Sequence, residues 1–136
     1  GDKEDGVFVG VLGEAVLLGQ ATHFGNVGLD VIKVGGLTEE YRIAQHAYEH
    51  SILFVPHGWN TAVGLAADLQ LVAAIPTARW VEYITPAPYI EDLVDAPFEL
   101  DDEGFLEIPD GPGLGVRWNS DGVRKHSGLE LTPSDL

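Results

Sequence analysis

Three side chains with complementary acid–base chemistry end or follow short apolar runs of the sequence. They are Asp30, His57 and Glu82. In parallel α/β folds the reactive groups lie at the carboxyl ends of the strands, so side chains at three successive strand ends can share one site. Histidine exchanges a proton near neutral pH, and a neighbouring carboxylate fixes its tautomer and stabilises its charged form. The pattern therefore predicts a proton-transfer site with His57 as the acid/base.

Each of these residues also has a structural interpretation. His57 follows a proline and can be a loop residue bonded to backbone, Asp30 can be a turn former, and Glu82 can be an exposed charge at a strand end. From the residues alone, both interpretations stay open.

The elements that would position these side chains alternate along the chain. Short apolar runs predict strands over residues 27–34, 52–56 and 80–83, and helical spacing predicts helices over 38–50 and 61–72. An apolar, glycine-punctuated run over 7–18 indicates a further strand followed by a turn. Strands that alternate with helices through short links favour parallel βαβ units.

The two predicted helices carry recognisable apolar faces. In the first, Thr38 can act as the N-cap, and a stripe of Leu37, Tyr41, Ala44 and Tyr48 follows at helical spacing. In the second, the apolar side consists of Ala62, Leu65, Ala66 and Leu69.

The character of the chain changes near Pro86. Residues 1–85 contain the βα units, whereas 86–136 are rich in Pro, Gly and Asp and contain only brief β-like runs at 98–100 and 105–108. Two and a half βα units leave open parallel edges. The chain is therefore expected to be either a small open sheet or a piece of a larger protein.

Composition narrows the class of partner. The net charge of −15 disfavours nucleic acid and anionic membranes as partners, and a dispersed acidic surface is typical of proteins that work in concentrated salt. No window has the apolar length of a membrane span. The absence of cysteine excludes disulfides and fits a cytoplasmic protein.

At the candidate site the sequence resembles a known family. The segments DVIKVGGLTEEYRIAQHA, ILFVPHGWNTAVGLAADLQLVAAIPTARWVEY and IPDGPGLGVRWN are similar to the C-terminal third of the mandelate racemase/muconate-lactonising group of the enolase superfamily. The resemblance covers residues 29–119. The segment HGWNTAVGLAADLQL is most similar to the corresponding segment of sugar-acid dehydratases of that group.

The resemblance implies a fold, a metal and a reaction. The fold is α/β, with this chain supplying strands 6–8 of a (β/α)7β TIM-type barrel, followed by an irregular C-terminal wrap that packs back on the barrel or the capping domain. Members of the group bind Mg²⁺, which stabilises the enediolate formed when a proton α to a carboxylate is removed. His57 would be the acid/base, Asp30 its dyad partner, and Glu82 a hydrogen-bond partner of the substrate carboxylate region.

The sequence also departs from that group. The family's metal ligands come from earlier strands, so most lie outside this chain. Glu14 is the sole candidate here, and the stretch from it to Asp30 is short for the usual intervening helix. Lys33, Trp59 and Asn60 are candidates for substrate contact, with solvation, packing and helix capping as the alternatives. His46 and His50 can bind a metal by their spacing, but they lack the Glu of an HExxH motif and are interpreted as surface histidines.

These observations lead to several expectations about function. The complete protein is expected to be a dehydratase of sugar acids, and this chain alone is expected to be inactive. The alternatives are a non-catalytic truncated or split fragment, and a racemase or cycloisomerase of the same superfamily. The expected partners are a small sugar-acid substrate and either the remainder of the enzyme or another copy of the chain in a homo-oligomer.

Overall fold

The chain folds into short strands and helices of a mixed α/β domain. The computed structural model describes residues 6–11, 26–29, 34–57, 61–76, 78 and 80–128, with the backbone alone for the first two segments. The strands are β1 (Gly6–Val11), β2 (Asn26–Leu29), β3 (Leu53–Pro56), β4 (Trp80–Tyr83) and β5 (Phe105–Glu107). The helices are α1 (Leu37–Glu49), α2 (Ala62–Ala73), α3 (Pro88–Glu91) and α4 (Ser120–Ser127).

The strands form two small ladders that lie side by side. β2 and β3 pair in parallel, with Leu29 opposite Pro56, which confirms the predicted parallel βαβ unit. β4 contacts β3, but its ladder within the described residues is with β1, in parallel, and β5 then pairs antiparallel with β1. Of the open parallel edges expected from the sequence, one edge of β4 is therefore closed. An N-terminal strand covers that edge and satisfies its backbone groups.

The core lies between the strands and α2. The predicted apolar side of α2 is confirmed, since Ala62, Leu65, Ala66 and Leu69 are all buried. They belong to one cluster with side chains from β3, β4 and the segment after Pro86, among them Phe54, Val81, Ile90 and Leu106. This single core is what fixes β3 and β4 relative to each other, and the candidate site lies at these two strands.

Helix α1 is present where it was predicted, but its orientation differs. The residues that face the core are Glu40, Ala44 and Ala47, whereas Leu37, Tyr41 and Tyr48 of the predicted stripe are exposed. The buried row is displaced from the apolar stripe because small alanines allow the helix to approach the sheet closely. The predicted cap is also wrong. Gly36 is the N-cap residue, with φ of 102°, and no side chain caps this helix.

The C-terminal segment contains a helix that the sequence did not predict. Asn119 caps α4 by accepting hydrogen bonds from the backbone N–H groups of Asp121 and Gly122, and Gly128 ends it in the left-handed conformation. The chain before α4 pairs with the chain after α3, through a bridge between Val94 and Trp118. None of the described helices is both long and apolar enough to cross a lipid bilayer.

An ion cluster joins α4 to the end of α3. The Asp92 carboxylate accepts hydrogen bonds from Lys125 Nζ at 2.6 Å and from His126 Nε2 at 2.8 Å. These two hydrogen bonds hold the pKa of the Asp92 carboxyl below its ordinary value of 3.8, and the bond from Lys125 has the larger effect. A lowered carboxyl pKa contributes stability that is present above the ordinary value and is lost as the pH falls through the lowered one.

Replacing Asp92 by Asn is therefore expected to lower the melting temperature by a few degrees at pH 7. The difference from the unmodified chain should shrink as the pH falls below about 4, because the unfolded chain is protonated first and the folded carboxylate follows as the pH falls through its lowered pKa. Thermal melts followed by circular dichroism between pH 2.5 and 7 measure this. A difference that stays constant over that range would show that the charge of Asp92 is not what joins the helices.

Candidate active site

Two of the predicted site residues meet at the ends of adjacent strands. His57 directly follows β3, and Glu82 lies in β4 one residue before its end. The Nδ1 atom of His57 is 2.6 Å from the Oε2 atom of Glu82. The structure therefore brings a histidine and a carboxylate from two strands into direct hydrogen-bond contact.

The two side chains differ in their access to solvent. The His57 side chain is 53% exposed, whereas that of Glu82 is 10% exposed. A carboxylate accepts hydrogen bonds, so the contact places the donated proton on Nδ1 of the imidazole. In the neutral ring the lone pair is then on Nε2. His57 is thus held as a base on a largely exposed ring, with a nearly buried carboxylate behind it.

The backbone of β4 determines where Glu82 points. Residues alternate across a strand, and Val81 and Tyr83 on either side of Glu82 are buried in the core. The Tyr83 hydroxyl donates a hydrogen bond of 2.8 Å to the carbonyl of Phe98. Burial raises the pKa of this hydroxyl above its ordinary value of 10.0, so it remains a donor at neutral pH. These contacts fix the strand, and Glu82 is left facing the opposite way.

The other predicted site residues lie outside the described part of the chain. These are Asp30, Lys33, Trp59, Asn60 and Glu14. The predicted pairing of His57 with Asp30 therefore stays a prediction, and so does the contact of Glu82 with substrate. The sequence predicted that the strand-end side chains share one site, but it did not predict that Glu82, and not only Asp30, pairs directly with His57. The adjacent strand ends were the available signal for that contact.

The residues of this site do not by themselves form a magnesium site. Mg²⁺ requires about six oxygen ligands in near-octahedral geometry. Within the described residues the site offers the carboxylate of Glu82, which is nearly buried and bonded to an imidazole. The described part of the site therefore does not fit Mg²⁺.

A cavity elsewhere in the structure is not part of this site. It has a volume of about 490 Å³ and is formed by the C-terminal segment, with Phe98, Leu106, Pro109 and Arg117 among its lining residues. Neither His57 nor Glu82 lines it. The histidine–carboxylate pair therefore lies at the strand ends and not in this cavity.

A mixed α/β chain with a histidine–carboxylate pair at adjacent strand ends has the arrangement of enzymes that move protons. The family described as enolase C-terminal domain-like matches residues 14–122. The chain belongs to this family.

Individual relatives agree with the family assignment. The matches also show what share of each relative's length this chain covers. It is 37% identical over 103 residues to a D-galactarolactone cycloisomerase from Agrobacterium fabrum, covering 69% of this chain and 27% of the relative. It is 36% identical over 98 residues to a D-xylonate dehydratase from Haloferax volcanii, covering 71% of this chain and 24% of the relative. The chain thus spans about a quarter of the length of the curated relatives it matches.

A solved structure shows the same fold. An enolase of the mandelate racemase subgroup from Agrobacterium tumefaciens superposes with a TM-score of 0.64 at 32% sequence identity, over 74% of this chain and 28% of that one. The resemblance to the mandelate racemase/muconate-lactonising group is thereby confirmed.

Proposed function

We propose that this chain is the C-terminal part, about strands 6–8 of the barrel, of a sugar-acid dehydratase, and that His57 is its acid/base. The observation that carries the proposal is the 2.6 Å contact between His57 Nδ1 and Glu82 Oε2, with the imidazole largely exposed. Relatives that are 36% and 31% identical to it are a D-xylonate dehydratase and a D-gluconate dehydratase. They support aldonates as the substrate class, and aldarates are proposed beside them.

The proposed reaction is an elimination of water. His57 Nε2 takes the proton from the carbon α to the substrate carboxylate, and the electrons of that C–H bond form a double bond to the β carbon. The β-hydroxyl leaves as water with the proton that His57 has taken up, and the enol that remains rearranges to a 2-keto-3-deoxy acid. Glu82 holds the imidazole in the required tautomer and stabilises it once it is charged. Asp30 is proposed as a second carboxylate partner of the same ring.

The rest of the active site is proposed to come from outside this chain. The missing parts are the Mg²⁺ ligands and the barrel strands that carry them, since the chain spans about a quarter of its relatives. The polypeptide that completes the barrel is expected to cover apolar side chains that are exposed here, which include Leu37, Tyr41, Tyr48 and Trp118. The net charge of −15 supports an enzyme that works in concentrated salt.

A second candidate function is supported by the 37% identity to a cycloisomerase. Racemases and cycloisomerases begin with the same proton removal, so the same residues would serve them. The two candidates differ in whether water leaves, and the product therefore distinguishes them.

The test compares the product of the whole gene with the 136-residue chain. Both are incubated in D₂O with Mg²⁺ and a panel of aldonates and aldarates, at low and at molar KCl, and are followed by NMR. We expect the whole product to form a 2-keto-3-deoxy acid, and the chain alone to be inactive. Deuterium at the α carbon without loss of water would favour the second candidate. Absence of both reactions would contradict the enzymatic proposal, and turnover by the chain alone would refute the need for a further polypeptide.

A further inference from the structure

Three side chains with metal-binding atoms meet at the C-terminal end of α1. They are His46 and Glu49 in the last turn and His50 at the C-cap, and all three are exposed. One ligand atom from each lies within 4.8 Å of the other two. The imidazole rings of His46 and His50 have their centroids 4.2 Å apart, at a tilt of 46°. Residues three and four positions apart share a helix face, which is why the rings meet.

The hydrogen bond of His50 prepares its ring to bind a metal. Its Nδ1 atom is 2.9 Å from the backbone carbonyl of His46. A carbonyl can only accept, so Nδ1 carries the proton and the lone pair is on Nε2. Metal-binding histidines commonly donate their second ring nitrogen to a carbonyl or carboxylate in this way. The tautomer that coordination requires is therefore already fixed.

The Glu49 carboxylate provides the third ligand and favours a cation at this position. Its Oε2 atom lies 3.9 Å from Nδ1 of His46. The ligand atoms of a tetrahedral zinc site lie about 3.3 Å apart, given bond lengths of about 2.0–2.1 Å. The exposed side chains can close the remaining distance by rotation. The last carbonyls of a helix carry partial negative charge, which adds to the attraction.

The ligand types select the metal. Two imidazoles and one carboxylate suit Zn²⁺ and neighbouring divalent transition metals, whereas Mg²⁺ prefers oxygen ligands. The order His-x-x-Glu-His also occurs in a class of zinc peptidases. Here, however, the three side chains are exposed, so a substrate bound to them would remain in water. Metal binding is therefore the inference, and hydrolysis is not.

We propose that His46, Glu49 and His50 form a surface site for Zn²⁺ or a similar divalent transition metal, separate from the proposed active site. α1 precedes β3 and ends close to its start, while His57 follows its last residue. The two sites therefore lie toward opposite ends of this strand. A metal bound at the end of α1 would stabilise the last turn of the helix. The fourth coordination position of the metal would be open to water or to a donor from another chain.

The experiment is a calorimetric titration of the chelator-treated 136-residue chain with Zn²⁺ at pH 7.5, with 10 mM Mg²⁺ present. We expect one Zn²⁺ per chain, and binding weaker by at least about tenfold in His46→Gln and in His50→Gln. Glu49→Gln should weaken it by about threefold or more. At pH 5.5 the affinity should fall, because protonated imidazoles do not bind metals.

Two matched variants show whether the assignment is correct. His126→Gln and His57→Asn each remove a histidine outside the cluster, and both should bind Zn²⁺ within about twofold of the unmodified chain. Circular dichroism checks that every variant is folded. Binding that is absent in the unmodified chain, or that is lost in His57→Asn instead of the α1 variants, would overturn the proposal. These outcomes do not depend on whether the dehydratase reaction is found.

Discussion

Replacing His57 by Asn in the complete enzyme is expected to lower kcat for sugar-acid dehydration by about 10²–10⁴-fold, the usual contribution of a positioned acid/base. The Asn amide can still donate to Glu82 from the position of Nδ1, but it has no basic atom in the place of Nε2. The loss should therefore appear in kcat, with a smaller change in KM. Steady-state kinetics and the rate of α-proton exchange in D₂O measure it.

The control is a histidine that has no role in the reaction. His126 contacts Asp92 on the far part of the C-terminal segment, and His126→Asn should retain activity within about twofold at 25 °C. If His57→Asn were as active as this control, the assignment of His57 as the acid/base would be wrong.

A pair of carboxylate variants separates the two partners proposed for His57. Glu82→Gln preserves the shape of the side chain but removes the charge that stabilises the protonated ring. We expect it to lower kcat, though by less than His57→Asn. Asp30→Asn is the matching change at the other carboxylate. The variant with the greater loss identifies the carboxylate that contributes more to orienting and stabilising the imidazole.

The second large effect is expected at Gly122 in α4. A Cβ atom at this position would overlap the backbone carbonyl of Asp92, which cannot move aside as a flexible side chain can. Gly122→Ala is therefore expected to lower the free energy of unfolding by about 1–3 kcal/mol, the usual cost of overpacking. In an unobstructed helix the same change would be stabilising by about 1 kcal/mol. The sign of the effect thus reports the close approach of the two segments.

Denaturant unfolding followed by circular dichroism measures this difference. Arg124→Ala is the control on the same helix, because its ion pair with Asp121 is exposed and should contribute less than about 1 kcal/mol. Stabilisation by Gly122→Ala would show that α4 does not pack against Asp92 in solution.

The sequence was sufficient to predict the features that depend on residues close together in the chain. The helical spacing of α2 identified its buried side, and the apolar run of β3 followed by His57 located the candidate site. The spacing of α1 identified the helix but not its buried face. That face is chosen by how closely the helix approaches the sheet, a tertiary effect that Ala44 and Ala47 permit.

The features that were missed depend on residues far apart in sequence. Nothing local to β1 indicates that it pairs with β4, and nothing in the segment before α4 indicates the bridge between Trp118 and Val94. The contact of His57 with Glu82 has the same origin, since it needs the register of two strands that are separated by a helix. The spacing of His46 and His50, in contrast, was noted in the sequence but was interpreted as two surface histidines, and the structure adds Glu49 and the proximity of the two rings.

The parallel ladder between β1 and β4 also bears on how this chain could join a larger polypeptide. β4 already has a hydrogen-bonded neighbour from its own N-terminal segment, in register from Phe8 with Trp80 to Val11 with Tyr83. A strand of another polypeptide could pair with the same edge of β4 only by displacing β1. One set of backbone hydrogen bonds would then break while another forms. Such an exchange gains little from hydrogen bonding alone, so the apolar surface that it buries would have to drive it. In such an assembly β1 would occupy the edge of β4 until the incoming strand displaced it, and the affinity of the two parts would depend on the competition between the two strands for this edge.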